Sequence, residues 1–255
     1  SIQLALPSRD MSVPGEVKHL MGDHDEQTLA LQVDSQIVRT QVHGGLEKEG
    51  IIFTDLQSAL AKFPDLVKSH FSKAVRPDDD KFAALNNTFY TTGIFLYVPK
   101  GLSIKVPFRN IVLVKSHGIG AFSHNIIVAD ENSKVTFLQE AYSKLDPAKQ
   151  GPTLYSEVTE VFLQEGAEVN FASVQNFESD IHAFVNRRSL GQKDSRVNWT
   201  IGHIGGGITR SRMDSVLDGP GSTAEDVEIV FGAEAQRFDI VTDLSHVAPH
   251  TTGHV

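Results

Sequence analysis

From residue 94 to residue 247 the chain alternates apolar and polar positions with a period close to two. The alternation falls in short runs rich in branched and aromatic residues: 94–98, 111–114, 124–128, 134–138, 155–163, 168–174, 181–186, 196–204, 208–217, 225–231 and 237–244. Such residues fit a pleated, half-buried surface, so each run predicts a β-strand. Glycine, aspartate, asparagine and serine clusters separate most of them, as at Asp130-Glu-Asn-Ser133, Gly205-Gly-Gly207 and Asp218-Gly-Pro-Gly-Ser222, and these predict turns. Asp146 to Pro152 predicts a longer surface loop. The spacing of the runs suits a sandwich, a barrel or a stacked solenoid. Alternation gives an all-β body without its topology.

Before residue 94 the pattern changes. Gln27 to Val38 predicts one or two strands, Ser12-Val-Pro-Gly15 a turn and Ile51 to Phe53 a short strand. Thr54 and Gln57 have the spacing of a capping box, and Leu56, Ala59, Leu60 and Phe63 then recur at helical spacing. Pro64 suits the first position of a second helix, with Leu66, Val67, His70 and Phe71 as its apolar stripe. Pro77-Asp-Asp-Asp80 predicts a third helix start, because carboxylates favour the positive end of the helix dipole. Phe82, Leu85, Asn86 and Phe89 share one face of that helix. Two regions are therefore expected: an N-terminal α/β (helical) region over 1–93 and a β body over 94–255.

The 255 residues are 40% hydrophobic, enough for a large core, and carry a net charge of −9. That balance disfavours nucleic acid or an anionic membrane as the main partner, since both need a concentrated positive surface. There is no cysteine, which excludes disulfides and thiolate-held zinc or clusters from this chain alone and fits a reducing cytosol. No apolar stretch approaches the length of about 18 residues that a membrane span needs. The chain opens at Ser1 rather than methionine and stops straight after strand-like sequence, so a piece of a longer protein is expected.

No constellation reaches a catalytic claim. His246, His250 and His254 are spaced by four, as helical metal ligands would be, but Pro249 and Gly253 break a helix there. Gly205-Gly-Gly207 lacks the lysine and hydroxyl residue of a phosphate loop, and Gly219-Pro-Gly221 likewise predicts a plain turn. Ser123-His124 has no nucleophile elbow around it. Arg187-Arg188 and Arg210 with Arg212 would suit an anion, yet a solvated strand face paired with carboxylates explains them. Glu157 with Glu160, and Asp226 with Glu228, offer the paired carboxylates of a glycosidase, while alternation on an exposed face explains them equally well. No catalytic, cofactor-binding or metal residue is therefore assigned.

A series of segments resembles the SufB/SufD family of iron–sulfur cluster assembly scaffolds. It runs through Asp78 to Asn87, Gly93 to Gly101, His124 to Asp130, Val174 to Phe177, Ser195 to Thr200, Gly205 to Gly207, Leu217 to Gly221 and Leu244 to His250. Each is weak alone; their order is specific. The resemblance implies a mainly β fold, a right-handed parallel β-helix preceded by a small α/β region. It implies a cytoplasmic, non-catalytic subunit that binds SufC, an ABC-type ATPase, and a SufB-like partner or a second copy of itself. It implies an Fe–S cluster in the full complex, with none bound by this chain alone. SufD looks nearer than SufB, because Gln139-Glu-Ala-Tyr-Ser143 stands where SufB proteins carry a core cysteine. Gln175 and Asn176 match a SufB stretch linked to a path through the β-helix, and equally suit inward polar residues bonded to turns. The rival expectation is a β-helix enzyme acting on polysaccharides.

Overall fold

The computed structural model describes residues 2–8, 11–21, 27–149 and 151–255. Strand β1 (Gln3–Leu4) and helix α1 (Gly15–Met21) open the chain, followed by β2 (Thr28–Val33) and β3 (Gln36–Gln41). A 3-10 turn (Leu46–Glu49), β4 (Ile52–Asp55) and helices α2 (Leu56–Lys62), α3 (Pro64–Lys68) and α4 (Lys81–Phe89) come next. The rest is strand: β5 (Ile94–Val98), β6 (Phe108–Val114), β7 (Ile119–Ala129), β8 (Lys134–Ser143), β9 (Thr153–Leu163), β10 (Glu168–Phe177), β11 (Ile181–Gly191), β12 (Arg196–Gly205), β13 (Ile208–Leu217), β14 (Thr223–Phe231), β15 (Arg237–His246) and β16 (Thr252–His254). All eleven runs expected beyond residue 94 are strands, most extended by one to five residues.

The topology is a parallel β-solenoid. From β5 onward, strands go alternately to two sheets, so each hydrogen-bonds to the strand two places away in sequence. One sheet runs β15-β13-β11-β9-β7-β5-β4, with β1 pairing β7; the other runs β16-β14-β12-β10-β8-β6-β2-β3. The pairs are parallel except β2 with β3 and β4 with β5. The N-terminal strands thus extend both sheets: β2 lies parallel to β6, and β4 is antiparallel to β5.

Inward positions of the two sheets meet in a continuous core. Phe108, Phe137, Phe171 and Trp199 occupy one register column. Phe137 and Phe171 stack with centroids 5.5 Å apart, and Phe171 meets Trp199 at 4.9 Å. Ring burial and stacking make this ladder a main axial support. The turns stack as well. Gly101, Asn132, Gly166, Asp194, Gly221 and His250 all have left-handed φ. Asn132 N donates to Glu165 O (2.9 Å), Gly166 N to Lys193 O (2.9 Å) and Asp194 N to Pro220 O (2.9 Å). A corner repeated at the same point of each coil therefore bonds along the axis as the strands do.

Helices α2, α3 and α4 lie on the outer face of the first sheet, while α1 packs against β2, β3 and β6 of the second. Leu56, Ala59 and Val67 pack against Phe95, Ile126, Val128 and Phe162, so β7 and β9 are buried on both faces and read as near-continuous apolar runs. The N-cap of α2 is Asp55, whose carboxylate accepts from Ser58 N at 2.8 Å; the capping box expected at Thr54 lies one residue too early, because Thr54 remains in β4. Pro64 does open α3, and Asp80 caps α4, accepting from Phe82 N and Ala83 N at 2.7 Å each. α3 stops at Lys68, so His70 and Phe71 of the expected stripe sit in the following turn. Of the expected loop at 146–152, Gln150 lies outside the described residues.

Candidate functional site: a polar network inside the solenoid

Inward parity places several polar side chains in the core. The column Asn110, Gln139, Ser173 of one sheet faces the columns Ser123, Glu157 and Asn125, Thr159, Arg187 of the other. Glu157 is the hub, with 1% exposure. Its Oε1 accepts from Arg187 Nε (3.0 Å) and the Thr159 hydroxyl (2.9 Å). Its Oε2 accepts from the Tyr155 hydroxyl (2.9 Å) and from Gln139 Nε2. Arg187 also donates to the Ser173 hydroxyl at 3.1 Å and lies 5.3 Å from the Phe171 ring centroid. Asn125 links onward to the Thr159 hydroxyl (3.2 Å) and its Oδ1 accepts from Ile94 N (2.9 Å).

The electrostatics follow from this packing. Burial pushes the Glu157 carboxyl up, but the Arg187 charge and the hydrogen bonds from Arg187, Thr159 and Tyr155 outweigh it and hold the group below the usual carboxylate range. Burial and the neighbouring Glu157 charge push the Tyr155 hydroxyl well above its ordinary value. At neutral pH Tyr155 is therefore a donor and Glu157 an anion. Four donors occupy the carboxylate, which makes it a structural charge rather than a free acid or base.

A second buried carboxylate serves the outer face. Glu160 accepts from Ala74 N (2.6 Å) and Val75 N (2.9 Å) through Oε1, and from Ser72 N (2.7 Å) through Oε2. The Oε2 also meets His124 Nε2 at 2.8 Å, and Phe71 stacks on the His124 ring at 4.4 Å. Nearby, Arg188 pairs with Asp214 (2.5 Å) and Asp79 (2.6 Å), and Arg210 with Asp80 (3.1 Å). Together these clasp the segment before α4 onto the sheet.

The expectation of exposed, solvated faces is corrected here. Glu157 and Glu160 are both buried and point to opposite faces, since three residues separate them along a strand. Arg187 and Arg188 likewise diverge, Arg187 into the core and Arg188 outward. Asp226 is buried, and it shares the inward face with Glu228. The signal was available in strand parity: Glu157 has the parity of Val161 and Leu163, which are core. Gln139, Tyr155, Thr159 and Ser173 show the same parity, but polarity hid them.

Gly205 and Gly206 form a tight turn with φ of 69° and 82°, and a side chain on Gly205 would run into the Phe177 carbonyl. Gly219 turns against the Lys193 backbone in the same way. His246 Nδ1 meets the Thr251 hydroxyl at 2.7 Å, and among the described residues no group of three His, Cys, Asp or Glu is arranged to hold a metal ion. Gln175 points inward and donates to the Thr209 hydroxyl at 3.0 Å, whereas Asn176 faces solvent.

Comparison with known proteins decides the family. Residues 112–255 match the SUF system FeS cluster assembly, SufBD core domain, and residues 24–109 match the SufBD protein N-terminal region. The chain belongs to the SufBD family. It is 28% identical over 240 residues to the iron–sulfur cluster assembly protein SufB of Bacillus subtilis, covering 94% of this chain and 50% of that protein. It is 30% identical over 240 residues to a SufBD family protein of Staphylococcus saprophyticus and 29% to one of Staphylococcus haemolyticus, with the same coverage. The chain thus spans about half the length of these relatives. The matched core domain holds nearly all of the Glu157 network, from Ser123 to Arg187, and the matched N-terminal region holds the helices clasped to its outer face. Among the described residues no helix is long and apolar enough to cross a membrane.

Proposed function

We propose that this chain is the scaffold portion of a SufD-like subunit in iron–sulfur cluster assembly, non-catalytic by itself. The observation that carries the reading is the family match over both regions, on a parallel solenoid whose buried Glu157 and Glu160 carboxylates are committed to internal partners. Gln139 supports the SufD-like choice. The stretch Gln139 to Ser143, where the resemblance expects a core cysteine in SufB proteins, has none, and its Gln139 amide bonds to Glu157.

In this reading the subunit cooperates with a SufC-like ABC ATPase and a SufB-like partner. The stacked coils act as a stiff body. The parallel ladders, the aromatic column and the turn ladder all run along one axis, so a push at one end is transmitted with little internal yielding. An Fe–S cluster would belong to the whole complex.

The test is co-purification of the full-length protein with candidate SufC and SufB subunits, followed by gel filtration. A stable complex is expected; failure to bind either subunit overturns the proposal. A sugar-release assay on acidic polysaccharides is expected to show nothing, because Glu157 and Glu160 are buried on opposite faces and Asp226 is buried inside the solenoid.

A further inference from the structure

The loop between β8 and β9 is gripped by the turns of the two neighbouring coils. On one side, Glu178 accepts from Leu145 N at 2.7 Å and the Asp180 carbonyl accepts from Thr153 N at 2.9 Å. On the other side lies the β6–β7 turn. Its Ser116 carbonyl accepts from the Thr153 hydroxyl at 2.9 Å. The next residue of that turn, His117, sends its ring between the two arms of the loop. Nε2 stands 2.9 Å from the Asp146 carbonyl oxygen, and Nδ1 stands 3.3 Å from the Gly151 carbonyl oxygen. The side chain is 7% exposed, so water does not readily replace either contact.

Both neighbours are carbonyl oxygens, which accept and never donate. A neutral imidazole has one N–H and can serve one of them. An imidazolium has two and serves both. Asp180 adds a carboxylate oxygen 3.9 Å from Nδ1 and favours the charged ring. The other charged groups around this corner are turned elsewhere. Asp34 accepts from Lys115 N and the Ser116 hydroxyl, and Glu178 from Leu145 N and the Ser143 hydroxyl. Asp146 accepts from Ala148 N through its carboxylate, and Lys115, Lys144 and Lys149 are exposed.

We infer that His117 is a protonation-sensitive clasp on the loop 144–152. The imidazolium donates to Asp146 and Gly151 and holds both arms. The neutral ring keeps the shorter bond, from Nε2–H to Asp146, and turns its Nδ1 lone pair on the Gly151 oxygen. The Gly151 arm then lets go, while Thr153 and Leu145 stay fixed at the loop's base. Imidazole changes charge between about pH 5 and 8, so the loop tightens below that range and loosens above it. This inference rests on the corner geometry and does not depend on the assembly role.

The test is amide hydrogen exchange on the full-length protein at about pH 5.5 and pH 8, corrected for the intrinsic pH dependence of exchange. Lys149 and Gly151 should exchange about tenfold faster at the higher pH, the effect of losing one hydrogen bond from a charged donor. Amides within β8 and β9 should not change. His117→Phe, which has no ring donor, should show the fast loop at both pH values. The ring resonances of His117, followed across the same range, should titrate at the midpoint of the exchange step. A wild-type loop without a step overturns the inference. So does a step that survives His117→Phe, or a ring that stays neutral throughout.

Discussion

Arg187 places its Nε 3.0 Å from Glu157 Oε1 in the interior of the solenoid, and each of the two side chains comes from a different coil. The pair ties adjacent coils together at the centre of the buried polar network. Removing one partner leaves an uncompensated buried charge. Arg187→Met is expected to cost about 3–5 kcal/mol in urea unfolding, while Arg187→Met with Glu157→Gln costs clearly less. Equal losses in the single and double variants would show that the pair is not coupled.

The pH dependence of this hub has a definite sign. The folded carboxyl of Glu157 lies below its ordinary value of 4.5. Its contribution is therefore present above about pH 4.5 and lost as pH falls through the lower folded value. Glu157→Gln should flatten the acid limb of a stability-versus-pH curve there. An unchanged limb would assign acid sensitivity to other carboxylates.

Asp226 behaves oppositely in this chain. Its folded value of about 7, against 3.8 ordinarily, means the folded state keeps a proton that the unfolded state releases. Its contribution is present below about pH 3.8 and lost as pH rises toward 7. Thermal midpoints of the chain ending at Val255 should thus fall between pH 5 and pH 8, and Asp226→Asn should remove much of that fall.

Glu160 binds three successive-region amides of the turn before α4, at Ser72, Ala74 and Val75. Glu160→Ala should free them at a cost of about 1–3 kcal/mol. Amide exchange at residues 72–75 should speed up while β9 and β11 stay protected. Uniform acceleration everywhere would instead mean global destabilisation.

Two glycines separate conformational strain from collision. Gly44 and Gly205 have similar φ, 66° and 69°, but a side chain has open space at Gly44 and meets the Phe177 carbonyl at Gly205. Gly44→Ala should cost about 1 kcal/mol and Gly205→Ala several times more, or prevent folding. Circular dichroism melts would compare them directly.

The strands of the body were legible because period-two alternation survives wherever one face meets the core and the other water. β8, β10 and β12 show it cleanly. The turns were legible too, since glycine, asparagine and aspartate mark corners that require left-handed backbone. The ordered motifs carried the family. The buried network was not legible. Glu157 and Glu160 look like two members of an exposed acidic pair, and only the covering of both faces of β9 shows that each has a private set of donors.

Sequence by itself determined the strand positions, the turn corners, the Pro64 and Asp80 helix starts and the family, because these depend on local backbone preference and residue order. Tertiary structure alone decided which strands pair. Successive coils differ in length, with Val135 opposite Val169 but Val169 opposite Val197, so no fixed repeat announces the register. It also decided which charges are buried. That depends on long-range stacking and on helices laid over one sheet, and neither leaves a mark in the alternation of a single strand.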